Sequence, residues 1–524
     1  MTLSSFICAA RRHELKGEIM KTHELDLVSI IVPLLVIAAL GTLFMVYPEA
    51  SGNVVDAVRG FLGNDFGLYY IMLGVVALGI SMFMAFSKYG KIRLGKTDKP
   101  AMPTLTWGAL IFTATMAADI LFFSLSEWAL YAQEARVQGM EDVYLWSATY
   151  PLFHWGPIAW SFYIVLAVSF GYMLHVRMGA KQKFSEAVRP LFGDMVDGPL
   201  GKLIDLLAIF ALLAGTATTF SVATPLIGAA LGHVFGIEPN VVFTIIILVL
   251  VALAYTAALL AGIKGIAKLA KISVAVFVAL LCYIFFFGGE ARFILEMGFA
   301  SFGNLVQNFP TMATWTDPVR GDYHGFAQDW TVFFWAYWMA WCVATPFFIG
   351  LISKGRTVKN VVLGGFGFGL AGTFTSFIIL GNFGLAQEAL HGVELSNYIY
   401  AYDYSIRYDT ILRIFDALPL PNLGLVMLSV AMIIFYSSTF DALTYVVSGY
   451  SYKKLAPDQE PGKYVRCFWA VLFIILPIAL IFSEGALQNL LSVAIIAAFP
   501  IGIVILLICA SFFKDARNAI KPDS

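Results

Sequence analysis

Twelve stretches of mostly apolar residues follow one another along this chain, near 27–47, 68–88, 103–126, 146–176, 201–232, 239–263, 269–289, 326–353, 358–386, 422–449, 463–483 and 486–513. About 20 apolar residues in a helix cross the hydrocarbon core of a bilayer. Inside lipid every backbone N–H and C=O must find its partner within the protein, which favours helices. The pattern predicts an all-α polytopic membrane protein of twelve transmembrane helices. Composition agrees: only 13% of residues are charged, where a soluble chain carries about 25%. A net charge of −1 gives no basis for a nucleic-acid partner.

Basic residues set the expected topology. Arg11, Arg12, Lys16 and Lys21 precede the first run, and Lys88, Lys91, Arg93, Lys96 and Lys99 follow the second. Rich loops recur after the fourth, sixth, eighth and tenth runs, and Lys514, Arg517 and Lys521 close the chain. The loops between them are poor in Lys and Arg. By the positive-inside rule both termini are cytoplasmic. The first run is long and lacks a small-residue cleavage site, so it reads as a retained span, with Met20 an alternative start.

The segment 290–325 interrupts the series and looks like an amphipathic helix lying along the membrane surface. The expected organisation is a cytoplasmic segment over 1–26 and two peripheral helices over 27–102. Five helices over 103–289, an extracytoplasmic connecting helix and loop over 290–325 and five more over 326–513 follow. A short cytoplasmic tail covers 514–524. Two sets of five are what an inverted-repeat transporter would need.

The stretch 328–356, QDWTVFFWAYWMAWCVATPFFIGLISKGR, carries the strongest chemical signal. Trp335, Trp338 and Trp341 are spaced by three, so on a helix they form a slanting stripe on one side. An interfacial belt absorbs tryptophans at the membrane edge, and lipid-facing packing absorbs others. A row running inward suits a weakly hydrated organic cation held by cation–π attraction. The fourth run opens FHWGPIAWSFY, placing Trp155, Trp160 and Tyr163 on one side of a helix, with Gly156 and Pro157 freeing Trp155 to be aimed separately. Together with Trp338 they could close an aromatic box.

Asp119 lies mid-run in the third span with no basic residue nearby. A carboxylate there costs about 3 kcal/mol on insertion scales, so it reads as a counter-ion or proton carrier, or else as a protonated acid bonded within the bundle. The tenth span offers Ser437, Ser438, Thr439 and Asp441, and the fifth offers Thr216, Thr218 and Thr219. Such hydroxyls suit sodium but often bond only their own helix. No Walker loop suggests ATP drive, and neither the five cysteines nor the seven dispersed histidines form a metal or disulfide pattern. The histidine pattern also argues against a membrane enzyme; a non-transporting receptor differs from a carrier only in flux.

The run WTVFFWAYWMAW followed by GLISKGRTV, with FHWGPIAWSFY, FFSLSEW and SSTFDA, resembles the betaine/carnitine/choline transporters over about 27–513. The resemblance implies no enzyme and no cofactor, but a LeuT-like core of two inverted five-helix repeats after two extra helices, usually as a homotrimer in the inner membrane. It implies a substrate box of Trp155, Trp160, Tyr163 and Trp338, with Trp335 and Trp341 lining its approaches, and Met116 and Asp119 beside it. Tyr337 stands where the family commonly has tryptophan and is expected to face away and matter less. The implied ion site, for Na+, uses Thr113, Met116, Phe435, Ser438 and Thr439. The family's Gly-x-Gly-x-Gly pattern is replaced here by Thr115, Ala117 and Asp119, and Asp119 stands for a neutral residue as it does in the choline-type and proton-coupled members this position resembles. A carboxylate repels the carboxylate of betaine or carnitine and attracts a plain cation such as choline or a protonated methylamine. The reading therefore leans to a cation, with a zwitterion as the alternative and Na+ or H+ as driving ion. The short tail gives no expectation of osmotic regulation.

Overall fold

The structure, a computed structural model, describes residues 25–115, 118–179, 181–238, 240–260, 262–320, 325–399, 404–455, 459–481 and 486–520. These residues form helices and no strand. Seven helices are long and apolar enough to cross a membrane, and an eighth counts if the bent pair Ala327–Trp341 and Thr345–Ile352 is one span. Three of the expected runs give shorter apolar helices instead: Leu27–Leu43, Thr104–Thr113 and Val242–Leu253. The twelve-span expectation thus meets helices at every site among the described residues, with seven or eight of full length.

The helices that position the site are α1 (Leu27–Val46), α2 (Gly67–Phe86), α3 (Thr104–Thr115), α4 (Asp119–Ala132), α5 (Val143–His154) and α6 (Pro157–Tyr172). They are followed by α7 (Pro199–Phe235), α8 (Val241–Leu260), α9 (Gly262–Phe287), α10 (Ala291–Thr314), α11 (Phe333–Trp341) and α12 (Thr345–Ile352). The last five are α13 (Val358–Ser376), α14 (Asn382–His391), α15 (Pro421–Tyr450), α16 (Lys463–Ile481) and α17 (Ala486–Ile520).

The segment between spans seven and eight is helical, as α10. Ile294, Gly298, Ser301 and Leu305 are buried while Leu295, Phe299, Phe302 and Val306 are exposed, so both faces follow the helical repeat. The exposed face mixes these apolar residues with Arg292, Glu296 and Gln307, and Gly298 packs against Ile378.

Two breaks shape the interior, each with a local cause. α5 ends at Trp155, which has φ −104° and ψ 20°, and α6 restarts at Pro157, whose missing N–H costs nothing at a helix start. Gly156 bridges the two because a Cβ there would lie 2.4 Å from the Leu152 carbonyl oxygen. α11 and α12 are bent by 51° across Cys342–Ala344, with Pro346 in the first turn of α12. The opening helix of the second expected five-helix set is therefore interrupted.

On one side of the bundle an ionic cluster ties the chain together. Asp26 caps α1 and accepts hydrogen bonds from Lys183, at 2.9 Å, and from Lys202. Burial pushes the Asp26 pKa up, but the hydrogen bonds and charges of Lys202 and Lys183 prevail and hold it well below the usual carboxylate range.

Candidate binding site

Four aromatic side chains meet where α5, α6 and α11 converge. The Trp338 ring lies 4.8 Å from Tyr163, 5.5 Å from Trp160 and 5.5 Å from Trp155, centroid to centroid. Interplanar angles of 56–68° make these edge or tilted contacts, which leave ring faces uncovered by one another. All four residues are buried, none more than 4% exposed. Phe377 packs against Trp155 at 5.4 Å, and Phe334 at 5.7 Å. The break at Gly156 lets Trp155 point apart from the α6 register that carries Trp160 and Tyr163. The Tyr163 hydroxyl bonds Thr345, in the first turn of α12. Trp160 lies flat on Gly369 of α13, where a Cβ would come within 2.5 Å of its ring.

Trp335 and Trp341 sit elsewhere. Trp335 packs on Gly74 of α2 and meets Phe153, His154 and Phe162. Trp341 packs on Gly215 of α7 and meets Phe440. Both are buried one turn either side of Trp338 on the same helix, and neither shares a ring contact with the other three members of the cluster among the described residues.

Asp119 opens α4, where the helix dipole favours a negative charge by about 0.3–1 kcal/mol. It is 3% exposed. Its carboxylate accepts from the Tyr337 hydroxyl and from Thr219 Oγ1 at 3.2 Å, and Tyr337 and Thr219 are 2.7 Å apart. Three helices, α4, α7 and α11, thus meet at one carboxylate that forms no ion pair among the described residues. Tyr337 corrects its expectation: it stacks on Phe333, away from the four rings, yet it is the residue that holds Asp119. One residue's difference in helical position turns Trp338 toward the rings and Tyr337 toward the acid. Thr219, ambiguous from sequence, joins the same group, whereas Thr216 and Thr218 bond their own helix at 2.9 and 3.0 Å.

Of the implied ion ligands, Thr439 Oγ1 donates to the Thr113 carbonyl oxygen at 3.2 Å and Ser438 Oγ to the Phe435 carbonyl oxygen at 3.1 Å. Hard oxygens from α3 and α15 are therefore adjacent beside the end of α3, a donor set of the kind sodium takes. Ser437 bonds Ile433 within its own helix. Met116 and Ala117 lie outside the described residues, as does the Asp441 side chain.

Sequence reasoning missed Glu127. It is 0% exposed, near the end of α4, and accepts from Trp155 Nε1 at 2.8 Å and from the Tyr131 hydroxyl at 2.5 Å. Tyr131 meets His154 Nδ1 at 2.6 Å, and His154 Nε2 meets Thr331 Oγ1 at 3.0 Å. The signal was present: an acid sits at the end of the apolar run FFSLSEW, with a histidine beside Trp155 in FHWG.

An aromatic cluster at interrupted helices within a many-span bundle is the architecture of a helical membrane protein. A family profile described as "BCCT, betaine/carnitine/choline family transporter" matches residues 28–521, and the chain belongs to that family. It is a transporter and not an enzyme. Glycine betaine transporter OpuD of Bacillus subtilis is 28% identical over 91% of this chain and 92% of its own length. The osmo-dependent choline transporter BetT2 of Acinetobacter baylyi is 27% identical over 95% of this chain and 72% of its own. Among solved structures, a Na+-coupled sialic acid symporter in a substrate-bound outward-open state superposes with a TM-score of 0.44 and 15% identity, over 85% of this chain and 86% of that one.

Proposed function

We propose that the chain imports a quaternary or methylated ammonium compound by secondary transport, holding its head group among Trp155, Trp160, Tyr163 and Trp338. The observation that carries this reading is that three buried rings surround Trp338 at 4.8–5.5 Å, one residue along the helix from the tyrosine bonded to Asp119. Each face offered to a desolvated cation is worth about 0.5–2 kcal/mol. An uncompensated carboxylate beside such a cluster favours a net cation, such as choline or a protonated methylamine, over a zwitterion. Alternating access would turn on the interrupted helices of two five-helix sets, residues 103–289 and 326–513, with the two preceding helices at the periphery. A homotrimer in the inner membrane with both termini cytoplasmic completes the proposal. Uptake would be driven by H+ carried at Asp119, or by Na+ at Thr113, Phe435, Ser438 and Thr439.

One observation favours the zwitterion alternative. The indole N–H groups of Trp160 and Trp338 are buried without an acceptor among the described residues. An unpaired buried donor costs about 1–3 kcal/mol, and a substrate carboxylate or hydroxyl oxygen would satisfy one.

The test is uptake of labelled choline, trimethylamine, glycine betaine and carnitine into proteoliposomes under separate sodium and proton gradients. Trp338→Ala is expected to abolish saturable uptake of the preferred substrate while the protein still reaches the membrane. Normal uptake by that variant would overturn the box.

A further inference from the structure

Glu127 is a buried carboxylate with a single continuous line of hydrogen-bonding groups leading away from it: Tyr131, His154 and Thr331. Thr331, itself 3% exposed, ends the line among the described residues, on the segment that also carries Asp329, whose side chain is 60% exposed. Trp155 closes the other end by donating to the second carboxylate oxygen. We propose that this line is a proton relay, that Glu127 is its terminus, and that Glu127 acts on the substrate site as the positioning residue of Trp155. The proposal rests on the four-ring site binding an ammonium cation, and it places a second titratable group behind one wall of that site.

With His154 neutral, the chain of donors runs in two ways. An indole nitrogen only donates, so Trp155 leaves Glu127 Oε2 an acceptor in both. With Glu127 ionised, Tyr131 donates to Oε1, His154 Nδ1–H donates to the tyrosine oxygen, and Thr331 donates to His154 Nε2. With Glu127 protonated, every bond reverses: Glu127 donates to Tyr131, Tyr131 to Nδ1, and Nε2–H to Thr331. The two arrangements differ by one proton. A proton added at the Thr331 hydroxyl sends that group's own proton to Nε2, the Nδ1 proton passes to the Tyr131 oxygen, and the Tyr131 hydroxyl proton passes to Glu127 Oε1. His154 and Tyr131 end neutral, and only N–H and O–H bonds form and break.

The surroundings leave Glu127 as the end of this path. Tyr150 stacks against His154 at 5.8 Å and receives a hydrogen bond from Arg136 Nε. Glu134 accepts from Trp330 Nε1, Asp329 lies 3.6 Å from Arg59, and Tyr408 meets Phe122 more than a turn away on α4. No lysine or arginine forms an ion pair with Glu127 among the described residues; its nearest base is His154, at 3.9 Å. Its negative charge therefore acts on the adjacent site. Ionised Glu127 adds attraction for a cation and anchors the Trp155 wall, whereas protonated Glu127 removes that attraction. Cation affinity should fall as the proton binds.

The full chain in lipid is titrated with choline by tryptophan fluorescence across pH, alongside acid-minus-alkaline difference infrared spectra without substrate. Glu127→Gln imitates the protonated polarity, because its amide N–H can donate to Tyr131 while its oxygen accepts from Trp155. The expectation is at least a fivefold loss of wild-type affinity toward acid pH, the acid-side affinity at every pH in Glu127→Gln, and disappearance of a carboxylic-acid band from the infrared difference. Tyr131→Phe breaks the line without touching Trp155 and should slow protonation after a pH jump at least tenfold. A band that survives in Glu127→Gln, or a pH profile unchanged by both variants, would overturn the relay. The infrared result does not depend on substrate, so absent choline binding with the band assigned to Glu127 would sink the substrate reading and leave the relay standing. A pH profile abolished by Asp119→Asn but untouched by Glu127→Gln would place the proton at Asp119 instead.

Discussion

Asp119 and the ring cluster ask different things of a bound molecule. On the proposed reading the rings would take any soft cation, and the acid would discriminate by what else the molecule carries. Asp119→Asn keeps a partner for Tyr337 and Thr219 but loses the charge. It is expected to weaken choline affinity about ten- to a hundredfold, or about 1.4–3 kcal/mol, while sparing or improving glycine betaine. The check is the ratio of the two uptake constants in one preparation. Tyr337→Phe should disturb the same ratio, since it strips Asp119 of one of its two side-chain donors. Much at this scale was legible. The WxxWxxW spacing and the Gly-Pro break single out the residues that cluster, because helical angles follow from counting. What counting cannot give is the rotation of α11 against its neighbours. Trp335 and Trp341 lie on the stripe but are drawn into Gly74 and Gly215 on other helices, and Tyr337 is turned to an acid 218 residues away. Glu127 escaped because its meaning lies in partners from α5 and the segment before α11.

At the scale of helices, the site depends on how closely α13 approaches α6. Gly369 is where they touch through Trp160. Gly369→Ala should force the indole to shift, at about 1–3 kcal/mol of overpacking. The expected result is lower substrate affinity together with a lower midpoint of thermal unfolding. Gly367, two residues earlier, is the control: a Cβ added there would meet nothing within 4 Å, so Gly367→Ala should do neither. Hydropathy marked where the long apolar helices lie, seven or eight of them of full spanning length among the described residues. It read α11–α12 as continuous because the break is set by a few residues, Pro346 among them, inside a run that stays apolar.

Across the whole molecule, Asp26 fastens the start of α1 to Lys183 and Lys202, on segments far along the chain. A carboxyl held below its ordinary pKa stabilises the fold fully above the unfolded value of about 3.9. That contribution is lost only as pH falls through the lowered folded value. Asp26→Ala removes one partner of a buried pair and should cost about 3–5 kcal/mol at neutral pH. Comparing thermal unfolding of the variant and the parent at neutral and acid pH checks this, the gap closing only at strongly acid pH. Basic residues marked this side in the sequence, but the pairing across 157 and 176 positions was not there to be read.

The bend between α11 and α12 runs through Cys342, whose side chain is fully buried. Any swing of α12 that vents the chamber toward water would uncover that sulfur. The protein thus carries a built-in reporter at its own hinge. With the exposed Cys282 and the half-buried Cys467 replaced by serine, a maleimide should modify Cys342 slowly at rest and several times faster during turnover, read by mass spectrometry of the labelled peptide. Equal rates in both conditions would mean the kink is a fixed elbow, with the moving parts elsewhere.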